Sequence, residues 1–174
     1  TSPIPYNQVV LFLTQPSGGP GFGLTAYDDW LRLVITHEYT HVLLLDMVTG
    51  GPAGLQKVLG RIYFPNLFQP VWMIEGLATY EETEQTSGGR GRSPGAEMVL
   101  RSAVLESAFP ALGQASVFPD SWPSGQVPYL FGEAFTRLAL AFEQVHFTLA
   151  HHDRNIHDLP SCVDWRQRVA SFFG

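Results

Sequence analysis

The residues best suited to chemistry are His37-Glu38-Tyr39-Thr40-His41, an H-E-x-x-H run. On a helix, positions i and i+4 stand nearly one above the other, so His37 and His41 can offer two imidazole nitrogens to a single Zn2+. Glu38 lies one residue on, about 100° around a helix of 3.6 residues per turn. From there it can reach a water on the metal without being a ligand. Two neutral ligands beside one carboxylate base are what a metal-activated water needs. A five-residue pattern of this kind also arises by chance on a solvated helix face.

Two features favour the metal reading. Leu31, Leu33, Val34 and Ile35 precede the run, and Val42-Leu43-Leu44-Leu45 follow it. A helix apolar nearly all round is expected to be buried, and burying two His and a Glu is costly unless they are paired or bound to metal. A third ligand is available in Trp72-Met73-Ile74-Glu75-Gly76-Leu77-Ala78-Thr79-Tyr80. Glu75 sits among apolar residues and is followed by small ones, which allow close approach to the first helix. A carboxylate answering the helix dipole is the alternative, and the upstream His pair favours the ligand.

H-E-x-x-H followed by W-x-x-E-G-x-A-x-Y resembles the signature of the gluzincin metallopeptidases, the clan of thermolysin and the aminopeptidases. The string from Trp30 to His41 is similar to a subgroup with a peptidase-MA-like domain, often fused to a β-propeller. The resemblance extends through Pro65-Asn66, Gly89-Arg90-Gly91-Arg92, Met98, Arg101 and Val127 to Phe135, and covers roughly residues 8–145. It implies a zincin-like catalytic domain, with His37, His41 and Glu75 holding Zn2+ and Glu38 as base and proton shuttle. It implies peptide or protein substrates, neighbouring domains such as a propeller, and an extracytoplasmic location. Tyr129 falls where gluzincin aminopeptidases place a tyrosine that steadies the oxyanion; an ordinary half-buried tyrosine is the competing reading. Those aminopeptidases also carry a Glu for the substrate amine, and no Glu precedes Glu38 here. That departure favours an endopeptidase. An inactive zinc-binding or scaffold module of a larger protein is the alternative, against which the intact Glu38 speaks.

Weaker candidates each have a plainer reading. Gly18 to Gly23 follows a strand-like run but lacks the Lys-Ser/Thr of a phosphate loop. Asp46 could orient a ligating histidine or be an exposed helix-end carboxylate. Arg90 and Arg92 could read a substrate carboxylate, or be solvated or structural. Tyr80 is expected to pack within its helix, and Tyr39 to face away from the His pair. His151, His152 and His157 read as a tail rather than a metal site.

The elements that must position these groups read as mostly helical. Residues 8–13 form a short β-branched run, a strand with an edge that could take a peptide by β-addition or simply fill the core. Helices are expected over 29–48 (capped by Asp28 or Asp29), 53–64, 71–84, 95–108 and 129–147, with loops at 88–95 and 113–128. The fold class is therefore α+β, mostly helical. Residues 1–145 are expected to be the peptidase domain. Residues 146–174 are expected to be a divergent segment, with Trp165, Val169, Phe172 and Phe173 spaced for a docking helix.

The chain of 174 residues is about one domain long, with enough apolar content, 45%, for a core. The net charge of −6 comes without a basic run, which excludes electrostatic support for nucleic-acid binding. Cys162 alone excludes a disulfide scaffold. No run is long enough to span a bilayer. The chain starts at Thr1 without a charged leader, so a removed signal peptide and an excised fragment both stay open. Charged residues are sparse, 15% against about 25% in typical domains. A catalytic core that sits against other domains, and partly self-associates without them, would account for that.

Overall fold

A computed structural model describes Val9, residues 30–60 and residues 64–152. Helices dominate: α1 (Trp30–Asp46), α2 (Gly50–Leu59), α3 (Val71–Gln85), α4 (Pro94–Leu105) and α5 (Val127–His152), joined by short 3-10 turns. No strand occurs among the described residues. The expected strand at residues 8–13, Val9 apart, lies outside them, as do the Asp28/Asp29 cap, the Gly18–Gly23 loop, His157 and residues Trp165 to Phe173. Among the described residues, no helix is long and apolar enough to cross a membrane.

Helix ends depart from expectation where Pro and Gly act by position. α2 starts at Gly50 because Pro52 falls in its first turn, where no N–H partner is needed, and stops at Gly60, whose φ is 77°. Pro94 and Pro128 likewise stand in the first turns of α4 and α5, so both helices begin earlier than expected. α4 ends at Leu105, and α5 runs on to His152.

α3 is the centre. It packs most extensively on α5, and on its other side against α1. The α3–α5 crossing is made at Gly76 and Gly132. A Cβ built on Gly76 would lie against the Gly132 backbone, 2.6 Å from its Cα, and one on Gly132 would lie 2.9 Å from the Gly76 Cα. Only glycine at both positions permits backbones this close.

The apolar core lies beyond α5, where Ala96 and Val99 of α4 meet Val127, Leu130 and Phe131 around Ala115. Phe109 packs edge-on to Phe131 and Phe135, with ring centroids 5.1 and 5.5 Å apart. The α1–α3 seam is different in kind. α1 buries Leu33, Thr36, His37, Thr40, His41 and Leu45, and α3 meets its histidines with Glu75 and Glu82. The expectation of a zinc helix buried all round is corrected: Leu31 is exposed, and Val34, Ile35 and Val42 to Leu44 are only partly buried. The polar stripe takes the contact face and leaves the aliphatic side chains to the flanks. The buried threonines of both helices are satisfied because each hydroxyl donates one turn back: Thr36 to Arg32 O, Thr40 to Thr36 O, Thr79 to Glu75 O and Thr83 to Thr79 O, all at 2.7–2.9 Å.

Candidate metal centre

Three segments bring the site together. α1 supplies His37 and His41 one turn apart, and Asn66 fixes its C-terminal end by donating to Leu44 O and Met47 O at 2.7 and 2.6 Å. α3 supplies Glu75 and Glu82, seven residues and two turns apart on one face. α5 supplies Tyr129 from its first turn.

The two Nε2 atoms of His37 and His41 stand 3.2 Å apart. Glu75 Oε2 lies 3.3 Å from the first and 3.6 Å from the second. Ligands at zinc-like distances of about 2.0–2.1 Å in a tetrahedron are separated by about 3.3 Å, so this triangle has the spacing of one face of such a site. Glu38 flanks the pair. One donor atom from each of His37, Glu38 and His41 lies within 4.8 Å of the others, and this buried group could hold a metal ion.

The protonation pattern suits that use. His37 Nδ1 lies 3.0 Å from Glu82 Oε2 and 3.1 Å from Arg90 Nη2; in the tautomer that donates Nδ1–H to Glu82, the Nε2 lone pair faces Glu75. Three electron-pair donors then crowd one point, and only a cation, a proton or a metal ion, relieves them. Burial pushes the His37 imidazole pKa down, but carboxylates on both ring nitrogens, Glu75 and Glu82, outweigh this and raise it. Glu75 is likewise resisted by burial, yet the two imidazoles hold its carboxyl well below the usual carboxylate range. His41 Nδ1 is buried with no hydrogen-bond partner among the described residues. Asp46 is exposed at the end of α1 and so does not orient that ring.

Glu82 escaped the sequence reading, which left Arg90 open between reading a substrate and a solvated or structural role. Glu82 is fully buried, and accepts from the Arg90 Nε and Nη2 at 2.8 Å each and from the Arg90 backbone N–H at 3.0 Å. Gly89 makes this possible: at φ 98° it turns the chain back onto α3 so closely that a Cβ there would stand 2.5 Å from Thr83 Cα. Arg92 then donates to Thr83 O at 3.0 and 2.6 Å. Both arginines are structural rather than substrate-facing. Burial raises the Glu82 pKa, but the Arg90 charge and hydrogen bonds, followed by His37, more than offset that and leave it lowered to about 2.

The sign of that shift sets a pH dependence. A depressed carboxylate contributes stability above its unfolded value of 4.5 that is lost as pH falls toward the folded value of about 2. Between pH 5 and pH 3 the metal-free chain is expected to lose on the order of 2 kcal/mol through Glu82. Urea midpoints at pH 5 and pH 3 measure it; the difference should shrink in Glu82→Gln, and an equal difference in both proteins would refute the assignment.

Tyr129 is half-buried, with its ring centroid 6.0 Å from that of His37. Burial, then the charge of Glu75, raise its phenol pKa, and its hydroxyl is within hydrogen-bonding reach of Glu75. It therefore stays a proton donor at neutral pH. Tyr80 is buried in α3, its ring under the Arg137 guanidinium. The structure thus brings His37, Glu38, His41, Glu75 and Tyr129 to one place. Comparison with protein-family models, characterised proteins and solved structures finds no match to this chain.

Proposed function

We propose that the chain is a zinc-dependent peptidase of gluzincin type, acting as an endopeptidase. The observation that carries this reading is the triangle of His37 Nε2, His41 Nε2 and Glu75 Oε2, with Glu38 beside it and Glu82 behind His37. Two neutral imidazoles and one carboxylate form a donor set that suits zinc and leaves a position open. Zinc held there supplies Lewis acidity and an acidified water.

The chain's own residues then have separate tasks. Glu82 keeps the proton on His37 Nδ1 and the ring in place. Glu38 takes a proton from the attacking water and hands it to the leaving amine nitrogen. Tyr129 donates a hydrogen bond from its hydroxyl to the oxygen that gains charge as the carbonyl is attacked. No Glu stands among residues 1–37 to hold a substrate amine, which favours internal cleavage.

The test is metal content together with hydrolysis of an unstructured protein and a panel of quenched peptides. One zinc per chain is expected, with cleavage that a chelator abolishes and added zinc restores. Zinc without cleavage of any substrate would leave a metal-binding scaffold; no bound metal would remove both readings.

A further inference from the structure

Arg90 satisfies Glu82 with its edge, but its flat face is used as well. The guanidinium carbon stands 4.3 Å from the centroid of the Tyr129 ring. Arg90 is only 8% exposed, in the turn after α3, whereas Tyr129 arrives on α5. Nε and Nη2 both bond Glu82, and Nη2 also lies 3.1 Å from His37 Nδ1, so the plane of the guanidinium is set before the tyrosine meets it. A half-buried phenol in the first turn of a helix has two torsions to lose. A fixed cation on one face of the ring, with the His37 ring on its other neighbour at 6.0 Å, removes that freedom.

We propose that Arg90 is a positioning residue for Tyr129: clamped by Glu82, its guanidinium sets the ring plane and aims the hydroxyl at the Glu75 side of the histidine pair. Only the catalytic consequence rests on the peptidase reading. Lysine cannot replace this arrangement. An ammonium carries the charge but has neither the two-pronged edge for the carboxylate nor a flat face for the ring. The same cation that holds the histidine's partner carboxylate thus also holds the tyrosine, and the two halves of the site share one anchor.

The first measurement uses the native, metal-free, full chain. A nuclear Overhauser contact between the Arg90 Nε–H and the Tyr129 ring protons is expected, and its absence would overturn the proposal. The second uses Arg90→Lys with 3-fluorotyrosine at position 129. The fluorine line should shift and broaden, while a label at Tyr39 stays put; an unchanged line at 129 in folded protein also overturns it. Should Arg90→Lys not fold, the native-chain contact decides alone. With zinc saturating and a cleaved substrate in hand, Arg90→Lys should lower kcat about tenfold at nearly constant KM, and less than about twofold further in a Tyr129→Phe background. Additive losses would show that Arg90 does not act through Tyr129. A chain that hydrolyses nothing but gives the Overhauser contact would sink the peptidase reading and leave this one standing.

Discussion

Glu38→Gln is expected to keep one bound zinc per chain and to lose roughly 10³-fold in hydrolysis. Two carboxylates flank the histidine pair, and the substitution separates their roles. Glu75 Oε2 is 3.3 and 3.6 Å from the two Nε2 atoms, inside the spacing of a shared metal. Glu38 belongs to a looser group, with donor atoms up to 4.8 Å apart. A glutamine at 38 keeps shape and hydrogen bonding but cannot carry a proton from water to amine. A glutamine at 75 weakens the charge that holds the metal. Metal analysis beside a quenched-peptide assay distinguishes them: Glu38→Gln should fail in turnover, Glu75→Gln in metal affinity first. Full activity in Glu38→Gln would end the base assignment, and loss of zinc there would make Glu38 a ligand instead.

Gly76→Ala should destabilise the chain by roughly 3 kcal/mol or stop it folding. The added methyl meets the Gly132 carbonyl group and lies 2.6 Å from its Cα, and none of those atoms can swing aside as a side chain would. The two helices must part. Glu75 precedes the affected residue on α3, and Tyr129 lies one turn before Gly132 on α5, so metal affinity should fall along with stability. Gly54→Ala in exposed α2 is the control. Nothing lies within 4 Å of its Cβ position, and the change should stabilise by about 0.5–1 kcal/mol through backbone entropy alone. Urea denaturation of both variants, with zinc titration of the folded ones, checks the pair. Native stability in Gly76→Ala would mean the helices do not cross there.

The candidate site was unevenly legible in the sequence. His37, Glu38 and His41 are close in the chain, and helix geometry alone brings them together. Glu75 needed the W-x-x-E-G string, because nothing local says which distant helix will face the histidines. Glu82 carried a usable signal that passed unread: it stands seven residues after Glu75, on the same face of a helix already assigned to the site. Arg90 was legible as a candidate, but its partner was not. A Gly-Arg-Gly-Arg run looks like a solvated loop until the turn at Gly89 folds it onto a buried carboxylate. Helix positions followed apolar periodicity well. Their starts lie earlier than expected where a proline stands in a first turn, as at Pro52, Pro94 and Pro128. The burial of α1 was misjudged for a related reason. Hydrophobicity identifies which residues prefer the interior, but the face that meets α3 was claimed by threonine, histidine and glutamate.

That polar seam divides the molecule's cohesion into two kinds. On the α5 side of α3, attachment scales with apolar area removed from water and changes little with solution composition. On the α1 side, Leu33 and Leu45 are buried beside a cluster of imidazoles and carboxylates, so attachment depends also on the protonation of that cluster. An ion that binds only the assembled seam adds its binding free energy to the docking of α1. The grip on the helix that bears the histidines is therefore a variable that the surroundings set, while the rest of the fold keeps its own.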